Sequence, residues 1–350
     1  MLPKAFPTPQ LYRPGAGEPA LRWGVLAPGW IAHAFANAVN KRTRQRLAAV
    51  ASRSPERAST FAAEHGIDRV HSSYAALVGD PDIDVVYIAA PQSEHLALGL
   101  LAIGAGKHTL IEKPMATNAA DARILVRAAQ DAGVLLMEAM WSRYLPQAAV
   151  IRALVADGVV GEIHAVVADH GQAVPRDPNH RLYRRDLGGG ALLDLGIYPI
   201  QLDSMVLGAP RQVTAIGGLT DTGVDAYSTI VLTHDGIAQS TLTTSILTRT
   251  PTTALIAGSD ARIEMAAPFH VPTSLTLAGN ELFGETLTWR DETGVALMDG
   301  LAWEATALAT FVGEGRKESP LHTLDETVSI LATIDEARRQ LGCADDEVAA

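Results

Sequence analysis

Chemistry concentrates in this chain at Glu112-Lys113-Pro114, which closes the tract Gly106-Lys107-His108-Thr109-Leu110-Ile111. A short apolar run flanked by glycine and proline reads as a buried strand. It delivers Glu112 and Lys113 to its carboxyl end, the edge at which ligands bind in an open parallel sheet. An ammonium there can hold a hydroxyl oxygen and stabilise the oxyanion that forms as a hydride leaves the neighbouring carbon. A hydride needs an acceptor, and residues 21–32 supply the setting for one: a strand, a tight turn and a helix start. The dinucleotide fingerprint G-x-G-x-x-G/A falls on Ala27, Gly29 and Ala32, with alanine in place of the first glycine. Gly29 lets the backbone approach a pyrophosphate seated at the positive helix end, and Trp30 and Ile31 complete this set of cofactor contacts.

Two further strand ends belong to the same setting. Val50-Ala51 runs into Ser52-Arg53-Ser54, with Arg57 a turn further on. An NAD enzyme usually carries a carboxylate here for the ribose 2′-hydroxyl. A carboxylate would repel a 2′-phosphate, whereas guanidinium groups bind one in a forked geometry. Ser52, Arg53 and Arg57 therefore predict NADP as the preferred cofactor, with NAD the second possibility. Ala90-Pro91 follows another strand and could flank the nicotinamide ribose. His95, just beyond, reads either as a further cofactor residue or as a packed helix residue.

The elements around these residues alternate. Strands are expected at 21–27, 46–52, 85–89, 108–112 and 134–137, with helices at 30–40, 55–65, 94–105 and 118–132. This βα alternation predicts an α/β, doubly wound parallel sheet over residues 21–146. Beyond Pro146 the pattern changes. After a helix at 148–157 come eight short, β-branched stretches, at 163–169, 212–217, 226–233, 237–246, 253–257, 261–265, 274–277 and 284–289, and two closing helices at 302–313 and 325–341. They predict a C-terminal α+β domain over 147–341, built on a large, mostly antiparallel sheet with one face covered. Residues 1–20, rich in proline and glycine, read as an N-terminal arm, disordered or lying on a neighbouring subunit, and 342–350 as a tail.

Bulk composition removes several function classes. At 350 residues the chain has room for two domains. A net charge of −11 with no basic run argues against nucleic acid. No run reaches the ~18 apolar residues of a membrane span, and the amino terminus lacks the apolar core of a signal peptide. The single cysteine, Cys343, cannot form an internal disulfide, which fits the cytoplasm. The eleven histidines form no H-x-x-x-H-type helical pair with carboxylate support, so no metal is expected.

Taken in order, the turn at Gly24–Ala32, Ala90-Pro91 with His95, Gly106-Lys107-His108 and Glu112-Lys113-Pro114 resemble the Gfo/Idh/MocA family of oxidoreductases. The tracts Met137-Glu138-Ala139-Met140-Trp141-Ser142-Arg143-Tyr144-Leu145-Pro146 and Gly188-Gly189-Gly190-Ala191-Leu192-Leu193-Asp194-Leu195-Gly196-Ile197-Tyr198-Pro199 look like the branch with dimeric dihydrodiol dehydrogenases and NADP-dependent D-xylose dehydrogenases. The resemblance implies a Rossmann domain, a C-terminal substrate and dimerisation domain whose open sheet forms a homodimer or higher homo-oligomer, and a cis Lys113–Pro114 bond. It implies hydride transfer between a carbinol carbon of a sugar, polyol or cyclic diol and the nicotinamide. Lys113, Asp194 and Tyr198 match the family's catalytic positions, with tyrosine where most members have histidine. Glu112 and Lys113 also fall on its cofactor edge. Read without the resemblance, the triple glycine is a flexible loop, Asp194 a helix cap and Tyr198 a core aromatic. Asp194 and Tyr198 share a face if both are helical, and Pro199 predicts a kink or a helix start there. Trp141 and Arg143 are expected to wall the substrate pocket. The polar loop with His170, Arg176, His180, Arg181 and Tyr183 offers further substrate contacts. Two other functions stand beside the dehydrogenase: a non-catalytic dinucleotide-binding sensor, and a keto-sugar or imine reductase on the same scaffold.

Overall fold

A computed structural model describes residues 2–343; most of the expected tail lies outside the described residues. The first sheet is built as the alternation requires. Its strands are β1 (Arg22–Leu26), β2 (Arg46–Ala51), β3 (Arg69–His71), β4 (Val85–Ile88), β5 (His108–Glu112) and β6 (Leu136–Ala139). The helices are α1 (Trp30–Arg42), α2 (Pro55–His65), α3 (Tyr74–Val78), α4 (His95–Gly104) and α5 (Ala119–Ala132). All pairs are parallel, in the order β3-β2-β1-β4-β5-β6. This is the doubly wound Rossmann order, and its switch point lies between β1 and β4.

Local chemistry fixes the helices. Ser54 caps α2 by accepting the Arg57 N–H, Pro55 fills the first position, and Gly66 ends the helix in the left-handed region. Asn118 caps α5 through the Asp121 N–H, and Gly133 ends it. Two motif residues prove to be framework. The Lys107 ammonium donates to Asp80 O and Ile83 O, at 2.7 and 2.8 Å, and His108 Nδ1 accepts the Leu135 N–H.

The second sheet follows α6 (Pro146–Ala156). Its strands are β7 (Ile163–Gly171) and, after α7 (Ile197–Leu207), β8 (Gln212–Leu219), β9 (Asp225–Thr233), β10 (Gln239–Ser245), β11 (Ala254–Gly258), β12 (Ala261–Met265), β13 (Leu275–Gly279) and β14 (Thr286–Trp289). The order is β14-β13-β12-β11-β7-β10-β9-β8, antiparallel except for β7 beside β10. One face packs on α7. The other leaves Val167, Ile216 and Tyr227 exposed, with the Tyr227 ring lying over Gly218. The chain ends with α8 (Leu301–Gly313) and α9 (Leu324–Leu341).

The described chain forms two compact units, and their division differs from the expected linear one. Residues 295–328, with α8, return to the Rossmann unit; the other unit holds residues 146–294, the chain from 329 onward and residues up to 10. The reason is apolar: α8 buries Leu301, Trp303, Leu308 and Phe311, and it packs against α1. The arm also differs from expectation. Tyr12 sets its ring edge-on to Phe311 at 4.9 Å, and Pro19 accepts a hydrogen bond from Gln45, so residues 11–20 lie on their own Rossmann unit.

Candidate active site

At the β1–α1 turn, Ala27 takes φ 57°, the left-handed conformation that the fingerprint's first glycine normally supplies. Its N–H is held by Ala51 O at 2.9 Å. Gly29 is the α1 N-cap without a side-chain cap bond, no acidic residue occupies the first turn, and a Cβ on Gly29 would meet nothing within 4 Å. Uncapped N–H groups beneath open space fit a pyrophosphate. Ala32 is buried against the sheet, Ile31 is half-buried, and Trp30 stands 73% exposed.

Beyond β2, Ser52 Oγ accepts the Ser54 N–H, and Arg53 and Arg57 are exposed. Arg53 reaches Glu94 Oε1 at 3.3 Å. Beyond β4, Ala90 and Pro91 lead through a single turn into α4. His95 is fully buried at its start: Nδ1 lies 2.8 Å from Pro114 O and Nε2 2.9 Å from Ala90 O. One imidazole thus ties the Ala90-Pro91 loop to the Lys113-Pro114 loop. Burial pulls its pKa below the ordinary value, against the two carbonyls, which favour the doubly protonated ring.

The β5 end carries the expected cis Lys113–Pro114 bond. Glu112 is buried; its Oε1 accepts the Tyr87 hydroxyl at 2.5 Å and its Oε2 the Lys113 N–H at 3.2 Å. Lys113 itself is half-buried. Below the loop, Glu138 accepts the Met115 N–H at 2.8 Å, His322 Nε2 at 2.7 Å and the Thr327 hydroxyl at 3.0 Å. Burial would raise this carboxyl, but the bonds from His322, Met115 and Thr327 hold it below the ordinary range. Glu304 on α8 is the opposite case: neither carboxyl oxygen has a partner, and burial followed by the charge of Glu112 pushes its pKa well up. Burial and the neighbouring Glu112 thus both favour the neutral form of Glu304.

The β6 end carries Trp141 and Arg143 into the interior. Arg143 is 1% exposed and donates to Leu321 O at 3.3 Å and Glu326 Oε1 at 3.1 Å. A guanidinium so buried needs such partners, and they anchor it inside the unit where the sequence expected a pocket wall.

In the other unit the triple glycine is a tight corner. A Cβ on Gly189 would come within 2.8 Å of three carbonyl oxygens, and one on Gly190, at φ 121°, would lie 2.2 Å from Asp225 Oδ1. Asp225 is buried, accepts the Leu192 N–H at 2.6 Å, and has its pKa pushed by burial to about 6. The chain then makes a π-helical turn over Leu192–Gly196 that continues into α7. Pro199 thus falls in the first turn of α7, the helix start that was one of the two expectations for it, and its missing N–H follows directly on the i→i+5 turn.

Asp194 lies in that turn and is held by Arg181 through both guanidinium nitrogens, at 3.0–3.1 Å. Tyr198 is buried, with its ring 4.4 Å from that of His270 and 5.5 Å from that of His170. His170 stacks on His270 at 4.5 Å and holds Leu195 O through Nδ1. His180 is exposed and caps a short turn by accepting the Leu182 N–H. Sequence reasoning missed His270 and Asp225. Neither sits in a motif, and only the pairing of distant strands brings Asp225 to the glycine corner.

A strand-turn-helix with an open, uncapped helix start, and a lysine at the next strand end but one, define a dinucleotide-binding oxidoreductase. The chain belongs to the Gfo/Idh/MocA family: residues 21–140 match the oxidoreductase family with NAD-binding Rossmann fold, and residues 149–264 match the GFO/IDH/MocA C-terminal domain. It is similar to trans-1,2-dihydrobenzene-1,2-diol dehydrogenase of Xenopus tropicalis, 34% identical over 327 residues that cover 92% of this chain and 98% of that one. Among solved structures it resembles a 3-ketoreductase from Actinomadura kijaniata in complex with NADP and TDP-benzene, at 26% identity, TM-score 0.80 and coverage of 92% and 98%. It also resembles an aldose-aldose oxidoreductase from Caulobacter crescentus complexed with glycerol, at 25% identity, TM-score 0.82 and coverage of 93% and 98%.

Proposed function

We propose that this oxidoreductase uses NADP to oxidise a secondary hydroxyl of a cyclic diol, sugar or polyol. The observation that carries the cofactor choice is the β2 end. Ser52, Arg53 and Arg57 stand there, and the exposed guanidinium groups suit a 2′-phosphate. Glu94 holds Arg53 until a phosphate competes for it. Bound NADP supplies the hydride acceptor. Lys113 carries the positive charge for the substrate oxyanion, and Tyr198 exchanges the hydroxyl proton. In oxidation Tyr198 would take the proton as a phenolate, the form that the Lys113 ammonium would favour over an ordinary phenol of pKa ~10; in reduction the neutral phenol is a ready acid, so the same residues serve both directions. Asp194, fixed by Arg181, positions the substrate hydroxyl.

The substrate class rests on the diol dehydrogenase and sugar oxidoreductase relatives. Reduction of a keto-sugar is the second reading, favoured by the likeness to the 3-ketoreductase. We place the enzyme in the cytoplasm, in keeping with its buried free thiol Cys343. It works as a homo-oligomer through the sheet face that bears Val167, Ile216 and Tyr227. Among the described residues no helix is long and apolar enough to cross a membrane.

Titration of the protein with NADPH and with NADH, followed by nicotinamide fluorescence, tests the cofactor claim: NADPH should bind the tighter, and equal affinity would remove it. Lys113→Ala should retain NADPH binding and lose on the order of 10²–10³ in kcat with diol or sugar substrates. Full activity of that variant would overturn the mechanism.

A further inference from the structure

We infer that His33 Nδ1, the Glu64 carboxylate and His65 Nε2 form a binding site for a divalent transition metal of the zinc type, joining α1 to α2. Local spacing could not reveal it, because the two imidazoles are contributed by different helices. His33 Nδ1 lies 3.0 Å from His65 Nε2 and 3.1 Å from Glu64 Oε2, and all three ligand atoms fall within 4.8 Å of one another. Zinc–nitrogen bonds of about 2.0–2.1 Å set neighbouring ligand atoms of a tetrahedron roughly 3.3 Å apart, close to both short separations. Two imidazoles with one carboxylate are a donor set that zinc takes in open sites, with a fourth position left to solvent. Imidazole also selects zinc, copper and nickel over magnesium and calcium, which prefer oxygen alone.

The ligands are already oriented. Phe61 is fully buried, and its ring lies 4.8 Å from that of His33 and 4.5 Å from that of His65. Asn40 of α1 donates to His65 O at 3.1 Å, tying α2's last turn to α1 a second time. Glu64 and His33 keep 53% and 39% of their side-chain surface, so an ion can enter. The competing reading is a histidine–carboxylate ion pair with a second imidazole alongside, and it predicts no response to metal. A bound ion would clamp the helix whose start meets the pyrophosphate to the helix that carries Arg57. The site therefore stabilises the cofactor half of the protein without entering its chemistry, and it stands whether or not the proposed substrate is right.

The test uses the full-length protein, stripped with a chelator and titrated with Co²⁺ while its visible absorption is recorded. Zn²⁺ is then added to displace the cobalt, and thermal melts are run with and without Zn²⁺. A single equivalent of Co²⁺ should give the d–d bands of a low-coordinate site, and Zn²⁺ should raise the melting temperature. His33→Ala and His65→Ala should lose both responses, and Glu64→Gln, a half-exposed change that leaves the fold intact, should weaken binding by at least about tenfold. NADPH binding provides the fold control for each variant. No cobalt band in the parent protein would overturn the site, as would parent-like binding in Glu64→Gln and in both histidine variants.

Discussion

Two helix starts in this protein meet the same electrostatic problem in opposite ways. A helix N-terminus gathers unpaired N–H groups and a partial positive charge. At Gly190–Leu192 the chain answers with its own anion: the Asp225 carboxylate accepts the Leu192 N–H, and its oxygen occupies the place where a side chain on Gly190 would go. At Gly29–Ile31 it supplies nothing, neither a cap nor an acidic residue in the first turn. The first turn is complete when the protein folds, and the second leaves its N–H groups open for the pyrophosphate proposed to bind there. Glycine therefore has two meanings here. Gly190 is glycine because space is taken, and Gly29 because space must be left open.

The contrast is broken most severely at the closed corner. Gly190→Ala forces a Cβ onto a carboxylate at a backbone angle that L residues avoid, and should cost about 3 kcal/mol or more in urea unfolding. A parent-like midpoint would mean that the corner is not closed. The buried anion gives the next largest effect. The folded pKa of Asp225 is raised to about 6 from 3.8, so its favourable contribution is full below pH 3.8 and is lost as pH rises through 6. Between these limits the change is about 3 kcal/mol. Asp225→Asn should flatten that part of the stability–pH curve relative to the parent, and an unchanged slope would assign it to other groups.

The open turn should respond in affinity instead. Gly29→Ala should leave stability within about 0.5 kcal/mol and weaken NADPH roughly tenfold, about 1.4 kcal/mol. Equal NADPH affinity would place the pyrophosphate elsewhere. The smallest effect is a gain: Ala27→Gly relieves a left-handed alanine and should stabilise the protein by about 0.5–1 kcal/mol, read as a rise in Tm.

The two corners were not equally legible. The β1–α1 turn could be read directly because backbone sites leave a local signature: a strand, small residues at fixed offsets, and a helix. The sequence presented Ala27 as a departure from the fingerprint, yet its backbone adopts the glycine-like angle, a matter of conformation that residue type alone does not disclose. Long elements such as α2 and α5 were readable within a residue or two, and the four-residue β4 showed itself by an unbroken apolar run rather than by a period. β3 and α3 were missed, since three and five residues are too short to show a period. The corner at Gly190 depends on Asp225, 33 residues beyond Leu192, and the ring stack on Tyr198 depends on His270. Such side-chain clusters are assembled by strand pairing across the second sheet. Arg181 lay in a loop already marked as polar and Asp194 in the tract beyond the triple glycine, but their bidentate geometry is a product of the tight turn between them.

The return of residues 295–328 to the Rossmann unit has a consequence for synthesis. As the chain leaves the ribosome, all six strands of the first sheet emerge before the helix that completes its core. The apolar residues Trp303, Leu308 and Phe311 of α8 arrive only after the whole of 146–294 has been made. The cofactor half is thus the first to have its sheet translated, yet it stays incomplete until residue 328, and the other half, which needs the chain from 329 onward, is completed only after it. A chaperone meeting the nascent chain would find an α1 surface still waiting for its partner, and a gene fragment that stops at residue 146 would encode the sheet without the helix that seals it.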